Sequence, residues 1–424
     1  MISKPWRVVW FLFFAAGLNY ADRTALSSVI PPLRAETGIT DAQIGLAGML
    51  FLWTYALCSP FAGSVADRFS RSKIITWSLV AWSSITILTG FAHTVYALLA
   101  LRVLLGIAES FYLPAAGALL GDHHGSATRG KAMGLHMLGL NLGLVLGGTL
   151  AGVLAEHYGW HLGFWLLGGL GLILAIFSKF LLSDVPKTSG TSAPVAPGTP
   201  APAAEKSVVR EAWRYCLRVP SFYCLLASAM AAGVASWIFL SWLPLFFTEN
   251  YGLKLGAAGL AGVALYKAPV FIGIAIGGWL SDKMAMREAR GRALLKGLSF
   301  IASAPFLFLF MGSPGFALVA AAMAISSLIR AIGLPSEHPL ICEVIPARYR
   351  STAIGIFNTC GSAAGGLGVL LAGIFKEDFG LATIFGVSSF IYIIAGLLML
   401  LAYGMFFTRD MTRAQERDRL HQIA

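Results

Sequence analysis

Four ionisable residues break otherwise apolar runs: Asp22 and Arg23 in one, Arg102 and Glu109 in another. An ionised group at the centre of a bilayer is costly unless it is paired or wet, so each marks a functional position. Carboxylates so placed can bind and release a proton. Guanidiniums can hold an anion with two parallel hydrogen bonds. Arg102 and Glu109 are two helical turns apart on one face. Judged by depth, Asp22 lies level with Arg102 and Glu109 lies near the midplane, so an Asp22–Arg102 pair is expected. The competing reading is a set of static ion pairs that merely tie helices together. Weaker polar candidates are His136, Asn141, Lys267 and Asn358.

Chemistry of other kinds lacks its residues. No nucleophile–base set or phosphate-binding loop is present. His157 and His161, with Glu156 beside the first, have helical i,i+4 spacing but no third ligand in view, so no metal is expected. His123-His124 reads as a solvated loop pair. The protein is expected not to be an enzyme, to need no cofactor, and to draw its energy from an ion gradient.

The elements that must hold these residues are apolar helices. The chain has 424 residues, 57% of them hydrophobic and 12% charged, more apolar surface than a soluble domain can hide. Runs of roughly 18–25 residues, each able to cross about 30 Å of hydrocarbon, recur along it. They fall at 7–30, 43–65, 74–92, 95–120, 131–155 and 162–182, then at 220–247, 257–280, 294–312, 316–341, 351–374 and 383–407. The first run is read as an uncleaved helix, because no small-residue cleavage site follows it. The five cysteines show no metal spacing and read as inert thiols.

The net charge of +11 is not a nucleic-acid footprint, because its distribution follows the membrane. With the N-terminus in the cytoplasm, most basic residues, Lys296 included, fall in cytoplasmic segments. The outer loops hold only Arg34, Lys254 and Lys376. This is the positive-inside pattern, and it places both termini in the cytoplasm.

The chain is expected to fold as two six-helix halves, 1–187 and 220–407, followed by a tail at 408–424. Between the halves lies a linker, 188–219, whose Pro/Ala-rich part (188–204) cannot pack a core and whose remainder (205–219) is basic. The halves repeat. Displaced by 221 residues, Pro114 meets Pro335, Asp122 meets Glu343, Arg129 meets Arg350, Gly134 meets Gly355, Gly152 meets Gly373 and Gly159 meets Gly380. Duplicated halves are the architecture of one large transporter class. The repeat also sets Arg330 opposite Glu109, with Glu337 two turns further along as a partner within the same span.

A second repeated pattern, Gly63-x-x-x-Asp67-Arg68 with Arg71 after it and Gly278-x-x-x-Asp282-Lys283, follows the second span of each half. Here glycine would allow close helix approach and the acid would cap a helix or meet a base. The pattern resembles the loop signature of the major facilitator superfamily, and the resemblance covers the whole chain. It implies an all-α integral membrane fold of twelve helices with Gly63, Asp67, Arg68, Arg71, Asp282 and Lys283 in an inner gate.

Asn19-Tyr20-Ala21-Asp22-Arg23-Thr24-Ala25-Leu26-Ser27, the stretch Arg102 to Pro114, and Trp242-Leu243-Pro244 resemble the anion:cation symporter family within that superfamily. That resemblance implies that Asp22 and Glu109 take coupling protons. It also implies that Arg23 and Arg102 engage an anion, that Tyr20 and Tyr55 line its site, and that Asn358 contacts it. Asn-Tyr-x-Asp-Arg and Pro31 to Glu36 are equally similar to the bacterial spinster-like lipid carriers, and the two branches stay open.

The function expected is proton-coupled symport of a small organic anion, such as a sugar acid, by alternating access. The substrate-site residues would be Tyr20, Arg23, Tyr55, Arg102, Asn141, Arg330 and Asn358, with Asp22 and Glu109 as proton sites. Alternatives are a spinster-like lysolipid carrier and, in a different class, a membrane sensor with this fold. A monomer in a bacterial inner membrane is expected, its partners being the anion, protons and lipids, with no nucleic acid.

Overall fold

The computed structural model describes residues 4–184, 210–312 and 314–423, and every regular element among them is a helix. The linker stretch 188–204 lies outside the described residues. The first helices are α1 (Lys4–Ser28), α2 (Ile30–Thr37), α3 (Asp41–Arg68), α4 (Arg71–Thr89), α5 (Val95–Ser110), α6 (Tyr112–His123), α7 (Ser126–Tyr158) and α8 (Trp160–Leu181). A short helix α9 covers residues 210–216. Then follow α10 (Pro220–Tyr251), α11 (Leu255–Arg287), α12 (Gly291–Phe308), α13 (Phe316–Ile332), α14 (Glu337–Val344), α15 (Arg350–Leu401) and α16 (Phe407–Ile423). Among the described residues, nine stretches are long and apolar enough to cross a membrane. The longest, Ala347–Arg419, is broken inside α15 at Gly380.

Local chemistry sets the boundaries. Thr40 and Gln43 close a reciprocal capping box at the start of α3, and the hydroxyls of Ser70 and Thr94 cap α4 and α5. Pro114 has no N–H to give and its ring crowds the carbonyl four residues back, so the fourth expected span breaks into α5 and α6 at Phe111. Pro335 does the same in the second half, where a short 3-10 turn separates α13 from α14. Gly159 (φ 89°, ψ 152°) and Gly380 (φ 72°, ψ 157°) form equivalent corners in a backbone region almost confined to glycine.

Residues gather into two compact units. One comprises 1–185, 236–267 and 365–384. The other comprises 186–235, 268–364 and 385–424. In the first, α1 lies on α7 along a glycine track. A Cβ on Gly143 would come within 2.0 Å of the Gly17 carbonyl oxygen, and one on Gly147 within 2.3 Å of Ala21 Cα. The same unit draws in parts of α10, α11 and α15. Gly152 abuts Leu255, Gly45 abuts Val369 and Leu370, and Trp242 donates to the Val369 carbonyl at 3.2 Å. Arg34, Asp41, Glu249 and Lys376 form an ion cluster here, with Lys376 Nζ at 3.1 Å from Asp41 and 2.8 Å from Glu249.

The second unit is built on a core of Leu225, Leu340, Ile341, Tyr349, Phe357, Met399 and Phe407. Here Gly273 and Gly277 of α11 sit on the α13 backbone at Leu328 and Ile332. Lys296, assigned by sequence to a cytoplasmic segment, is fully buried in α12 and paired with Glu337 at 2.5 Å. Glu337 therefore reaches across to α12.

Candidate functional site

The Arg23 side chain is the centre of the polar site. Its Nε donates to Glu109 Oε2 at 3.1 Å, and Nη2 reaches the same oxygen at 2.9 Å. Nη2 also lies 3.4 Å from Asn19 Oδ1, one turn back. The guanidinium carbon stands 4.1 Å from the Tyr20 ring centre, 4.8 Å from Tyr55 and 5.1 Å from Phe51, a cation enclosed by aromatic faces. Gly106 makes this enclosure possible. A Cβ there would lie 2.1 Å from Thr54 Oγ1 and 2.6 Å from the Phe51 carbonyl, so only glycine lets α3 approach α5 so closely. Glu109 then sits in the last turn of α5, just before the break imposed by Pro114.

The expected Asp22–Arg102 pair does not form. Asp22 Oδ2 accepts from the Thr86 hydroxyl at 2.8 Å, while Oδ1 has no hydrogen bond. Depth put Asp22 and Arg102 level, but depth says nothing of direction around the helix. Successive residues point about 100° apart, so Asp22 faces α4 while Arg23 turns to α3 and α5. Arg102 is buried, makes no ion pair among the described residues, and has an Nε without a hydrogen-bond partner. Arg23 and Arg102 open onto one small cavity of about 50 Å³, shared with Ser27, Trp237, Ser241 and Trp242. Two guanidiniums on one cavity, one of them without a carboxylate, suit an anion with oxygens to share between them.

The structure brings Arg23, Glu109, Tyr20 and Tyr55 together and adds Trp237 and Ser241 to the cavity beside Arg23 and Arg102. Ser27 lies in the Asn19–Ser27 signature, but no local motif marks Trp237 or Ser241. Gly365 was the available signal for Trp237, because a Cβ on it would lie 2.1 Å from the indole Cδ1. Asn141 donates to Met137 O of its own helix at 2.9 Å. His136 is buried against the Tyr112 ring. Arg330, buried, and Asn358, exposed, belong to the other unit. Lys267 stands 5.3 Å from the Tyr266 ring centre. His124 is buried beside Trp6 rather than solvated.

The repeated gate motif lies on helix ends rather than in loops. Arg68 closes α3, and Asp282 and Lys283 lie inside the last turns of α11. The Asp67 side chain lies outside the described residues. Arg71 pairs with Asp122, and Arg292 pairs with Glu343 and, at 2.9 Å, with Asp282. Lys283 stands 4.5 Å above the Trp279 ring. A Cβ on Gly63 or Gly278 would meet nothing within 4 Å, so neither glycine serves close packing here.

Comparison with known proteins fits this arrangement. The Major Facilitator Superfamily model matches residues 12–295 and 263–420. A probable anion transporter of rice chloroplasts (Oryza sativa subsp. japonica) is 28% identical over 92% of the chain and 67% of its own length. A probable sulfoacetate transporter of Cupriavidus necator is 29% identical over 88% of the chain and 87% of its own length. The D-galactonate transporter of Escherichia coli O6:H1 is 24% identical over 95% and 97%. Among solved structures, a bacterial homologue of the human lysosomal transporter Spinster, inward-facing and unoccupied, superposes with a TM-score of 0.77. It is 23% identical and covers 98% of this chain and 99% of its own, a likeness of fold.

Proposed function

The chain belongs to the Major Facilitator Superfamily and is a membrane transporter, and from that premise we propose that it moves a small organic anion together with protons. The observation that carries the reading is the shared cavity of Arg23 and Arg102, with Arg23 already held by Glu109. The substrate carboxylate, sulfonate or phosphate bridges the two guanidiniums. Protonation of Glu109 frees Arg23 for it, and the anion in turn draws Arg23 away from Glu109. Proton and substrate are thereby coupled through one side chain. Asp22, with one oxygen free of hydrogen bonds, is the second proton site.

The chain is read as twelve spans with both termini cytoplasmic in a bacterial inner membrane, cycling by alternating access. Relatives that are named as anion and sugar-acid transporters support the substrate class. The Arg34–Asp41–Glu249–Lys376 cluster acts as the outer gate, which must open once per cycle. The two guanidiniums and the hydroxyls of Ser27 and Ser241 give the cavity donors for the oxygens of a compact anion.

The deciding experiment is uptake into proteoliposomes with an imposed pH gradient. The panel is galactonate, glucarate, sulfoacetate, inorganic phosphate and a lysophospholipid. Accumulation of one of the small anions that collapses with a protonophore supports the reading. Uptake of the lysophospholipid alone, or uptake of an anion indifferent to the pH gradient, overturns it.

A further inference from the structure

A second basic cavity has no part in the transport site. It lies within the second unit and holds about 400 Å³. One wall is α9 with the turn after it, which carries Arg214 and Arg218. The other is α16, which carries Arg413 and Arg417. Tyr215 and Tyr349 line it between them. Arg417 stands 4.9 Å from the Tyr215 ring centre and 5.9 Å from that of Tyr349, so the rings fix its direction.

The charge balance at this cavity is the informative feature. Its two acids are already engaged. Asp410 is buried and accepts from the Ser221 backbone N–H at 3.0 Å and the Ser221 hydroxyl at 2.9 Å. Glu211 accepts from the Tyr349 hydroxyl at 3.3 Å and lies 3.7 Å from Arg348. Among the described residues, the side chains of Arg214, Arg218 and Arg413 meet no carboxylate. Like charges held around one cavity repel unless an anion sits among them, and guanidinium forks fit phosphate oxygens in pairs.

The neighbourhood says which anion. Trp213 and Leu217, one helical turn apart beside the arginines, are 45% and 53% exposed, and Tyr223 at the entry to α10 is 45% exposed. A short helix with a basic face and an apolar aromatic face beside the start of a span has the composition of a segment lying in the lipid headgroup zone. The cavity would therefore open where phosphate heads are densest.

We propose that the Arg214–Arg218–Arg413–Arg417 cavity binds the phosphate head of an anionic membrane lipid and so pins α9 and α16 to the membrane surface. The inference rests on this cavity alone and not on the transport reading. A soluble phosphate ester shares the headgroup chemistry, so the test separates the two sources.

The test uses the full-length protein in a neutral detergent and follows lipid adducts by native mass spectrometry and the thermal midpoint by nanoscale fluorimetry. The probes are phosphatidic acid, cardiolipin, zwitterionic phosphatidylcholine and soluble glycerol 3-phosphate. The variant is Arg214→Gln with Arg413→Gln. Both residues are exposed and without carboxylate partners, so folding should survive. The expected result is saturable binding of the two anionic lipids but not of phosphatidylcholine, weakened roughly tenfold or more in the variant. The variant Arg419→Gln, outside the cavity, should keep wild-type affinity. Equal lipid affinity in the wild type and the double variant would overturn the site. Glycerol 3-phosphate binding as tightly as phosphatidic acid would overturn the lipid as its occupant. A double variant that failed to fold would be replaced by Arg214→Lys with Arg413→Lys, for which a retained charge and a lost fork predict intermediate affinity. Full affinity there would also count against the proposal.

Discussion

The two halves agree where the backbone turns and disagree where charge is buried. Arg71–Asp122 in the first recurs as Arg292–Glu343 in the second, and the Gly159 corner recurs at Gly380 with nearly the same backbone angles. The Pro114 break recurs at Pro335. Yet Glu109 corresponds to Arg330, and the first half's Arg23–Glu109 pair has no counterpart in register. The second half instead buries Lys296 against Glu337. Helix corners and end-to-end ties are needed wherever helices must pack, so both copies keep them. Buried charge is expensive and so marks a position with a specific job, whether tying helices together, as Lys296–Glu337 does, or, on the function proposed above, handling the anion, as Arg23–Glu109 does. On that proposal the difference divides scaffold from transport site.

The largest expected effect tests the cavity arginines. Arg102→Lys keeps the charge but loses the planar fork, and transport kcat/KM should fall on the order of a hundredfold, the worth of about two charge-assisted hydrogen bonds. Arg292→Lys, in the scaffold pair, should fall less than tenfold. Uptake assays at varied substrate concentration measure both. Equal losses would erase the division between site and scaffold.

Next comes a matched pair of acids. Glu109→Gln imitates the protonated form, so accumulation driven by a pH gradient should vanish while counterflow exchange persists. Gln can still accept from Arg23, and the tyrosines continue to enclose the guanidinium. Glu337→Gln should do the reverse. It leaves the fully buried Lys296 without its counter-charge, so stability should drop by about 3 kcal/mol while the surviving protein still couples transport to protons. Thermal unfolding in detergent, beside the two liposome assays, separates these outcomes. If Glu109→Gln still concentrates substrate, Glu109 is scaffold and the proposed coupling is wrong.

Breaking the repeated tie should have a milder, symmetrical effect. Asp122→Asn and Glu343→Gln each remove one acid from an equivalent pair at helix ends. Each should shift the accessibility of engineered cysteines toward the inward-open state by a few-fold at most, since partly exposed pairs are worth roughly 1 kcal/mol or less. A large shift in one and none in the other would show that only one half carries the gate.

Much of this was legible in the sequence for physical reasons. Apolar length announces a span, and an ionisable residue inside one is conspicuous because it is costly. Prolines and glycines recur in register 221 residues apart. What stayed hidden depends on direction around a helix and on distant partners. Depth alone joined Asp22 to Arg102, whereas the helical phase gives Arg23 to Glu109. Lys296 near the start of its span looked like a membrane-edge cation, because nothing local shows that Glu337 will face it. Trp237 and Ser241 are ordinary residues of an apolar run until α10 brings them to the arginines.

The smallest expected effect concerns a tie that the second half lacks. Asp184, just past α8, accepts at Oδ1 from the Ser72 backbone N–H at 2.9 Å and the Ser72 hydroxyl at 2.6 Å, and at Oδ2 from Ser70, the N-cap of α4. The equivalent helix start at α12 follows Arg290, which provides no side-chain cap. Burial pushes the Asp184 carboxyl up, but the hydrogen bonds from Ser70 and Ser72 and the nearby Arg71 outweigh it, so it titrates below the ordinary 3.8. A carboxylate with a depressed folded pKa contributes stability above its unfolded pKa and loses it as pH falls through the folded value. Asp184→Asn should therefore lower stability at pH 7 by only about 0.5 kcal/mol, because the site is exposed to water. The gap from the wild type should close as pH drops below 3.8. Thermal midpoints of the two proteins between pH 7 and pH 3 would measure it. A gap that stayed constant across that range would show that Asp184 acts through packing rather than charge, and the asymmetry between the two helix starts would then carry no electrostatic content.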